Sequence, residues 1–399
     1  MSEWKITRVS QMAEILSGGT PKTEVEEYWN GNIPWLSVKD FAGDARKVYD
    51  SEKHISELGL NSSATQLLYP GDLIISARGT VGEIAQIGKT SAFNQSCYGL
   101  RVADGYSSNY LYYMLKYQVR YLKSVANGAV FDTIVVKTFD RMKASVPDLP
   151  TQKRIADILS AYDDLIENNN RRIAILEKAA QELYKEWFVR FRFPGYETAK
   201  FENGLPEGWT IKRMNDFCYI TDGTHDTPKQ LDDGVPLVTG RCIKNGFVDF
   251  DDAYCISESD HANIKKRSGL SSGDILFSNI GTVGNCCVVD YSREFSVKNV
   301  IIFKPNDTVK TAYLYYWMTS SSMQEIFATQ TNGASQQFVG LTFMRRYKII
   351  VPKQEILTAY GDKILPILEQ KRMLHNNNLN LVKQRDLLLP RLMSGKLEV

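Results

Sequence analysis

The feature that most constrains the fold of this chain is an internal duplication, in which one ordered set of short segments occurs twice. The matching segments are Trp4 and Trp209, Thr20-Pro21-Lys22 and Thr227-Pro228-Lys229, Gly71-Asp72 and Gly273-Asp274, Gly79-Thr80-Val81-Gly82 and Gly281-Thr282-Val283-Gly284, Tyr110-Leu111-Tyr112-Tyr113 and Tyr313-Leu314-Tyr315-Tyr316, Asn127-Gly128-Ala129 and Asn332-Gly333-Ala334, and Val146-Pro147 and Val351-Pro352. Any single match could arise by chance, but the ordered set indicates two copies of one structural unit.

A long run with helical periodicity follows each copy, over about 151–193 and about 356–392. Apolar residues recur at alternating steps of three and four, which is the heptad stripe of a helix that packs along another helix. Each run contains an Asn-Asn-Asn triplet, at 168–170 and at 376–378. A polar residue in such a stripe weakens a coiled coil but fixes its register. Two ordinary amphipathic helices on separate cores would show the same stripe.

Within each copy, short β-rich segments separated by glycines predict strands, and the tyrosine-rich segments predict helices. The predicted strands are 72–77, 83–87 and 98–102 in the first copy and 274–280, 285–290 and 300–304 in the second, and the predicted helices are 106–123 and 311–328. Thr151 is a candidate N-cap for the first long helix. Pro366 predicts a kink or a late start in the second long helix.

The predicted fold class is α+β, with two tandem repeats that each consist of a β-rich α/β domain followed by a long helix. The two long helices are expected to pack as an antiparallel coiled coil, with the domains related by a pseudo-two-fold axis. The predicted boundaries are 1–150 for the first domain, 151–193 for the central helix, 194–208 for a linker, 209–352 for the second domain and 353–399 for the C-terminal helix and tail.

Composition and motifs favour a targeting role over catalysis. The formal net charge is only +2, so any contact with nucleic acid would come from local patches. The spacing of glycines over 82–90 does not fit a phosphate-binding loop, and no methyltransferase motif or metal-ligand spacing is found. The lack of a secretory signal, of a membrane-spanning run and of Cys-x-x-Cys pairs predicts a reduced, cytoplasmic protein. We expect a non-catalytic subunit whose chemistry is supplied by partners.

Further segments then make the match to a family specific. They are Gly18-Gly19-Thr20-Pro21-Lys22, Tyr28-Trp29-Asn30-Gly31, Ile33-Pro34-Trp35-Leu36-Ser37, Gln152-Lys153-Arg154-Ile155-Ala156, Trp187-Phe188, Gly204-Leu205-Pro206-Glu207-Gly208-Trp209 and Leu389-Pro390-Arg391-Leu392-Met393-Ser394-Gly395-Lys396-Leu397. Together with the duplicated set, they make the chain resemble the DNA-specificity subunit of a type I restriction-modification system over essentially its whole length.

The resemblance implies two target-recognition domains, each reading one half of a bipartite site in double-stranded DNA, with the two long helices as a spacer. It also implies two copies of a modification subunit as partners, which carry S-adenosylmethionine and methylate adenine. A restriction subunit with ATP and Mg is an optional further partner that cleaves DNA. No cofactor is expected on this chain. A pseudo-two-fold repeat scaffold that binds proteins without reading DNA is the alternative function.

Candidate DNA contacts follow from the chemistry of base edges, which are read by Arg, Lys, Asn and Gln with Ser and Thr as adaptable partners. The candidates are Lys22, Ser37, Lys39, Arg78 and Thr80 in the first domain, and Lys229, Thr239, Arg241, Asn279, Thr282, Gln336 and Gln337 in the second. Arg78 and Asn279 are compared as counterparts that differ because the half-sites differ. Alternatively, Gly-Thr-Val-Gly is only a tight turn and the lysines are only solvated surface.

Contact with partner proteins is expected at exposed aromatic residues near the end of the first long helix, because large aromatics are typical interface anchors. The candidates are Tyr184, Trp187 and Phe188. Trp187 also lies on the apolar stripe, so a role in the core is the alternative.

Overall fold

The computed structural model describes residues 4–125, 134–290, 293–331 and 338–399. The chain forms two compact units. Unit 1 comprises Met1–Arg171 and Leu374–Val399, and unit 2 comprises Arg172–Met373. Both boundaries fall inside long helices, so each unit contains a segment of both.

Unit 1 is built on two mixed sheets and one further strand pair, all of short strands. Its strands are β1 Lys5–Arg8, β2 Ala13–Ser17, β3 Ile33–Leu36, β4 Lys47–Val48, β5 His54–Ile55, β6 Leu73–Ser76, β7 Ile84–Ile87, β8 Ala92–Phe93, β9 Cys97–Val102 and β10 Lys143–Val146. Five of them form a sheet in the order β2-β9-β6-β7-β4, three form a sheet in the order β5-β3-β8, and β1 pairs with β10. The strands predicted at 72–77, 83–87 and 98–102 are confirmed as β6, β7 and β9.

The helices of unit 1 before the long one are mostly short. They are α1 Val9–Met12, α2 Val38–Phe41, α3 Glu57–Asn61, α4 Ser108–Val125 and α5 Val136–Arg141. The predicted helix at 106–123 is confirmed as α4. Its segment from Tyr110 to Leu115 is buried in the same core as β6 and β9, because its side chains are apolar or aromatic on every face there.

The central helix, α6, spans Leu149–Tyr184 and continues into a π-helical turn over Lys185–Val189. The prediction that Thr151 is the N-cap was wrong. The helix begins earlier because the carboxylate of Asp148 accepts a hydrogen bond from the Thr151 N–H at 2.8 Å, which is the usual N-cap interaction. Pro150 is compatible with this start, since the first turn of a helix does not need its missing N–H.

Unit 2 repeats the strand arrangement. Its strands are β11 Phe201–Glu202, β12 Leu205–Pro206, β13 Thr210–Arg213, β14 Tyr219–Asp222, β15 Val235–Val238, β16 Ile243–Lys244, β17 Phe247–Val248, β18 Tyr254–Ile256, β19 Ile275–Ser278, β20 Cys286–Val288, β21 Ser296–Val297, β22 Val300–Lys304 and β23 Lys348–Val351. The order β14-β22-β19-β20 matches β2-β9-β6-β7, and β18-β15-β21 matches β5-β3-β8. The predicted strands are confirmed as β19, β20 and β22.

The shorter helices of unit 2 are α7 Met214–Phe217, α8 Glu258–Ser268, α9 Thr308–Thr319, α10 Ser321–Thr331 and α11 Leu341–Arg346. The single helix predicted over 311–328 is divided at Ser320, which has an extended backbone with ψ of 146°. The Ser320 hydroxyl donates to the Trp317 carbonyl at 2.7 Å, so a side chain satisfies one carbonyl at the end of α9.

The C-terminal helix, α12, spans Gln354–Met393 without interruption. The late start that Pro366 suggested is not found. Tyr360 and Ile364 are fully buried in the core of unit 2, and this packing outweighs the single helical hydrogen bond that Pro366 removes. Among the described residues, no helix has the length and apolar character needed to cross a membrane.

Polar side chains join the two long helices inside each unit. In unit 1, Asn169 donates to Asn378 at 2.9 Å and Asn378 donates to Asn170 at 2.8 Å. Asp163 forms an ion pair with Arg385 in the same unit. In unit 2, Glu177 forms an ion pair with Lys371. Four of these residues occupy positions of the apolar stripes, namely Asn169, Lys371, Asn378 and Arg385.

Candidate nucleic-acid interface

The loop after β3 presents a cation beside a turn that is held by hydrogen bonds to one carboxylate. Ser37 caps α2, and its N–H and hydroxyl donate to Asp40 Oδ2 at 2.7 and 2.8 Å. The carboxylate of Asp40 also accepts the Glu52 N–H at 2.8 Å through Oδ1. Lys39 lies inside this turn with an exposed side chain. The arrangement fixes the backbone while leaving the Lys39 ammonium in solvent.

The loop after β15 occupies the equivalent place in unit 2. Thr239 caps a 3-10 turn over Gly240–Cys242, and its N–H donates to Cys242 Sγ at 3.4 Å. Arg241 follows the cap by two residues, as Lys39 does, and is likewise exposed. Its guanidinium donates to the Asp252 carbonyl at 3.1 Å. We call these two segments, 37–40 and 239–242, the cap loops.

The Gly-Thr-Val-Gly segments are tight turns between paired strands. This agrees with the alternative interpretation of their sequence, in which they serve only as turns. In unit 1, buried Ser76 donates to the Thr80 carbonyl and accepts the Glu83 N–H at 2.8 Å. In unit 2, Ser278 lies 3.3 Å from the Thr282 hydroxyl. Arg78, Thr80 and Thr282 are exposed on these turns. The turns therefore present side chains to solvent on a rigid backbone.

The comparison of Arg78 with Asn279 was wrong by one residue. The Asn279 carbonyl accepts the Val339 N–H at 3.0 Å, just as the Ala77 carbonyl accepts the Ile134 N–H at 2.9 Å. Asn279 therefore corresponds to Ala77, and Arg78 corresponds to Ile280.

Asn279 is also buried, and its side-chain amide donates to the Val339 carbonyl at 3.2 Å. The side chain thus holds a neighbouring segment of backbone inside unit 2. The expectation that Asn279 is presented to DNA is corrected for this physical reason.

Lys22 and Lys229 both follow Thr-Pro and are exposed. The segment before Lys22 is fixed by two indoles, because Trp35 Nε1 donates to the Gly19 carbonyl at 2.9 Å and Trp29 Nε1 donates to the Lys22 carbonyl at 3.2 Å. In unit 2, Lys298 donates to the Thr227 hydroxyl at 2.6 Å. Gln336 and Gln337 lie outside the described residues.

The Gly18-Gly19 pair has a packing role in this segment. A Cβ on Gly18 would lie 2.0 Å from the Asn94 carbonyl oxygen, and one on Gly19 would lie 2.4 Å from the Thr65 nitrogen. Gly223 in unit 2 is equally restricted, because a Cβ at this position would lie 2.2 Å from the Val297 carbonyl oxygen. Glycine is required at these positions because two backbone segments approach each other closely.

The expectation that Tyr184, Trp187 and Phe188 are exposed was wrong. All three are buried in the core of unit 2. The ring of Phe188 lies 4.8 Å from the rings of both Tyr313 and Tyr360, measured between centroids. Burial raises the pKa of Tyr184 well above its ordinary value. These aromatics follow the apolar stripe, so the hydrophobic effect places them inside.

Two apolar residues that the sequence analysis missed are exposed at matching places on the long helices. Leu165 lies five residues before Asn170, and Met373 lies five residues before Asn378. Leu165 is 51% exposed in unit 1 and Met373 is 62% exposed in unit 2. They lie off the heptad stripe, and their repeat relationship was the available signal.

The chemistry of the remaining side chains is limited among the described residues, where no group of three or more His, Cys, Asp or Glu could hold a metal. His225 is bonded on both ring nitrogens, to Asn299 and Asp222 at 2.9 Å each. Burial raises the pKa values of Cys97 and Cys218 to about 12, so these thiols are unreactive at neutral pH. The prominent shared features are thus exposed loops on two similar sheets.

The fold and these loops define a tandem-repeat α+β protein in which two sheet units carry equivalent cationic loops. The type I restriction modification DNA specificity domain matches residues 1–178 and again residues 206–384. The chain therefore belongs to the type I restriction-modification DNA specificity family. The resemblance inferred from the sequence is confirmed, and the DNA-specificity function is supported over the scaffold alternative.

Individual relatives agree with this placement. The chain is 27% identical to the type I restriction enzyme MjaIX specificity subunit of Methanocaldococcus jannaschii, over 100% of this chain and 94% of that protein. It is 23% identical to the HindI specificity subunit of Haemophilus influenzae, over 69% and 74% of the two chains. The fold is similar to a type I restriction-modification S subunit from M. genitalium, with a TM-score of 0.56, 14% identity and coverage of 98% and 96%.

Proposed function

We propose that this chain selects a bipartite site in double-stranded DNA, with one half-site read by each repeat. Bound at that site, it directs adenine methylation and DNA cleavage by partner subunits and performs no chemistry itself. The observation that carries the proposal is the pair of cap loops, because Lys39 and Arg241 occupy the same place in two units with the same strand order. The recognition domains are proposed to be 1–150 and 209–352, joined through the helix 151–193 and the linker 194–208, with 353–399 completing the spacer.

The cap loops suit direct readout of bases. Arg and Lys donate to the O6 and N7 acceptors of guanine, and each good pair contributes about 1–3 kcal/mol of discrimination. Lys39 offers a flexible ammonium, whereas Arg241 offers a planar guanidinium that can donate two parallel hydrogen bonds. Such a difference at one structural position would let two half-sites differ in sequence. Lys22, Lys229, Arg78, Thr80 and Thr282 complete the proposed contact set, with Ser37 and Thr239 holding the loops and Gln336 and Gln337 as further candidates.

We further propose that the two long helices form an antiparallel coiled coil that sets the gap between half-sites. The asparagine contacts in unit 1 support this register, because Asn169 and Asn170 meet Asn378. Deleting one heptad from each helix would shorten a spacer by about 10 Å. This corresponds to about 3 base pairs at ~3.4 Å each. An unchanged preferred gap in the deletion variant would show that the helices do not set it.

Modification subunits are the proposed protein partners, in two copies. Leu165 and Met373 support two equivalent contacts, because they are exposed apolar residues at the same repeat position. Single exposed apolar residues are common on protein surfaces, so the proposal rests on the repeat relationship between these two residues. S-adenosylmethionine, ATP and Mg are assigned to the partner subunits. Replacing both residues with Glu should reduce capture of the modification subunit, while either single change should leave one copy bound.

Selection from a pool of random duplexes tests the DNA proposal directly. The full chain should enrich two short motifs at a fixed separation, and binding should weaken with salt in proportion to the phosphates neutralised. Lys39→Ala should relax one motif only, and Arg241→Ala the other. Lys212→Ala, an exposed cation on β13, is the matched control and should change neither. Enrichment of no sequence would favour a protein scaffold.

A further inference from the structure

The charged residues that join the long helices are spaced symmetrically in the sequence about the asparagines of each helix. Asp163 and Glu177 lie seven residues before and after Asn170 on the central helix. Lys371 and Arg385 lie seven residues before and after Asn378 on the C-terminal helix. Seven residues are one heptad, so on each helix the two charged residues lie on the same face as the asparagine.

The pair in unit 1 is almost fully removed from solvent. The side chains of Arg385 and Asp163 are 6% and 4% exposed. The Tyr113 hydroxyl donates to the second oxygen of Asp163, and Arg385 also donates to Asp386 at 3.0 Å. A buried ion pair of this kind is strongly disrupted when one partner is lost, because the other charge stays buried.

The pair in unit 2 has the same construction. Lys371 is 6% exposed, and its partner Glu177 is 24% exposed. Tyr316, the repeat counterpart of Tyr113, donates to Glu177 at 3.4 Å. The Lys371 ammonium also lies 5.6 Å from the ring centroid of Tyr315, where a cation is attracted to the ring.

The signs of the charges break the symmetry between repeats. Both acids belong to the central helix and both bases belong to the C-terminal helix, although Asp163 and Lys371 occupy the same repeat position. In an antiparallel pair of two central helices, Asp163 of one would face Glu177 of the other. Two C-terminal helices would likewise place Lys371 against Arg385. Buried like charges facing each other are strongly unfavourable.

We propose that these two ion pairs, one buried and one partly buried, select the helix partner, so that the central helix accepts a C-terminal helix and rejects a second central helix. The selection prevents two copies of one repeat from assembling with each other. Its consequence for DNA rests on the proposed function, because two identical repeats would read a symmetric site instead of an asymmetric one.

Two full-length chains with different affinity tags test the selection. The first carries D163K and E177K, which makes all four positions basic, and the second carries K371E and R385E, which makes them acidic. Each chain alone should lose at least about 6 °C in melting temperature. Expressed together, they should co-purify at least about tenfold more than either does with itself, because the basic central helix matches the acidic C-terminal helix.

Two controls separate pairing from folding. The four-site variant D163K/E177K/K371E/R385E restores opposite charges within one chain and should recover a monomer with most of the lost melting temperature. The reversal E369K/R372E exchanges an exposed ion pair of the C-terminal helix and should not alter melting or co-purification. These readouts do not involve DNA, so a failure here leaves the proposed function untouched.

Several outcomes would overturn the proposal. They are a four-site variant that fails to fold, mismatched chains that melt like the wild type, and co-purification that ignores the match of charges. A milder cycle with D163N, R385Q and the double variant provides a second measurement. The proposal requires the double variant to lose clearly less melting temperature than the sum of the single losses, and additive losses would contradict it.

Discussion

The two units of this protein share one strand order but differ in the chemistry placed at equivalent positions. The cap loop of unit 1 is closed by the Asp40 carboxylate, whereas that of unit 2 is closed by the Cys242 thiol. One turn carries Arg78 and the other carries Ile280 at the same place. The buried carboxylate Asp72 pairs with Arg101, and its counterpart Asp274 pairs with Lys304. The two units therefore keep one backbone while their side chains diverge, as two readers of different half-sites require.

The largest expected effect concerns the residues where each long helix ends. Phe188 is buried in the core of unit 2, and Met393 is buried in the core of unit 1. Phe188→Ala should reduce the free energy of unfolding by about 3–5 kcal/mol and Met393→Ala by about 2–5 kcal/mol. Denaturant unfolding with hydrogen exchange would locate each loss. If Phe188→Ala left the free energy of unfolding nearly unchanged, Phe188 would be a surface residue available for contact with a partner.

The next effect tests the difference between the two turns. Arg78→Ile gives unit 1 the residue of unit 2, and Ile280→Arg makes the opposite exchange. We expect Arg78→Ile to weaken binding by about 1–3 kcal/mol at one half-site only, because a single cation is removed from one reader. Affinity measurements on duplexes altered in one half-site at a time would check this. Equal loss on both half-site variants would remove Arg78 from the contact set.

A smaller effect distinguishes the cap loops. Ser37→Ala should lower stability by about 1 kcal/mol, because an N-cap hydroxyl and its hydrogen bonds are lost. Thr239→Ala should cost less, since its hydroxyl lies 3.6 Å from a thiol, which is a weak hydrogen-bonding group. Thermal melting of both variants compares the loops. A larger loss at Thr239 would contradict the expectation that the Ser37 cap contributes more to stability.

The smallest effect concerns pH. Burial raises the pKa of Asp274 above its ordinary value of 3.8, against the opposing effect of the Lys304 ammonium. A raised pKa in the folded state favours the protonated form. The contribution of Asp274 to stability is therefore fully present below its unfolded pKa and is lost as pH rises through the folded value. Carboxyl NMR titration should show Lys304→Met raising this pKa further, and a pKa below 3.8 in the wild type would contradict the assignment.

The framework was predictable because duplication and periodicity leave strong signals in a sequence. The strands β6, β7 and β9 and their counterparts follow from short apolar runs between glycines, and the long helices follow from the heptad stripe. The first residue of the central helix was harder to predict, because Asp148 and Thr151 are both good capping residues. Pro366 was misleading because local helix propensity yields to the burial of neighbouring residues.

The candidate site was less accessible to sequence reasoning. The matching Gly-Thr-Val-Gly segments already align Arg78 with Ile280, so the comparison with Asn279 was a one-residue error that the backbone hydrogen bonds make plain. Asparagine is a residue type that reads bases, yet the Asn279 side-chain amide donates to the Val339 carbonyl inside unit 2. The aromatics from Tyr184 to Phe188 could be core or interface by periodicity alone, and only tertiary packing decides between them.

The binding predictions all depend on each repeat reading one half of a split site. Methylome sequencing of a host carrying this gene and its modification subunit, against a host lacking this gene, tests it most directly. We expect a split motif with a fixed gap that is methylated only when the chain is present, with Lys39→Ala relaxing one half and Arg241→Ala the other. An unsplit motif, or methylation that is indifferent to the chain, would contradict it.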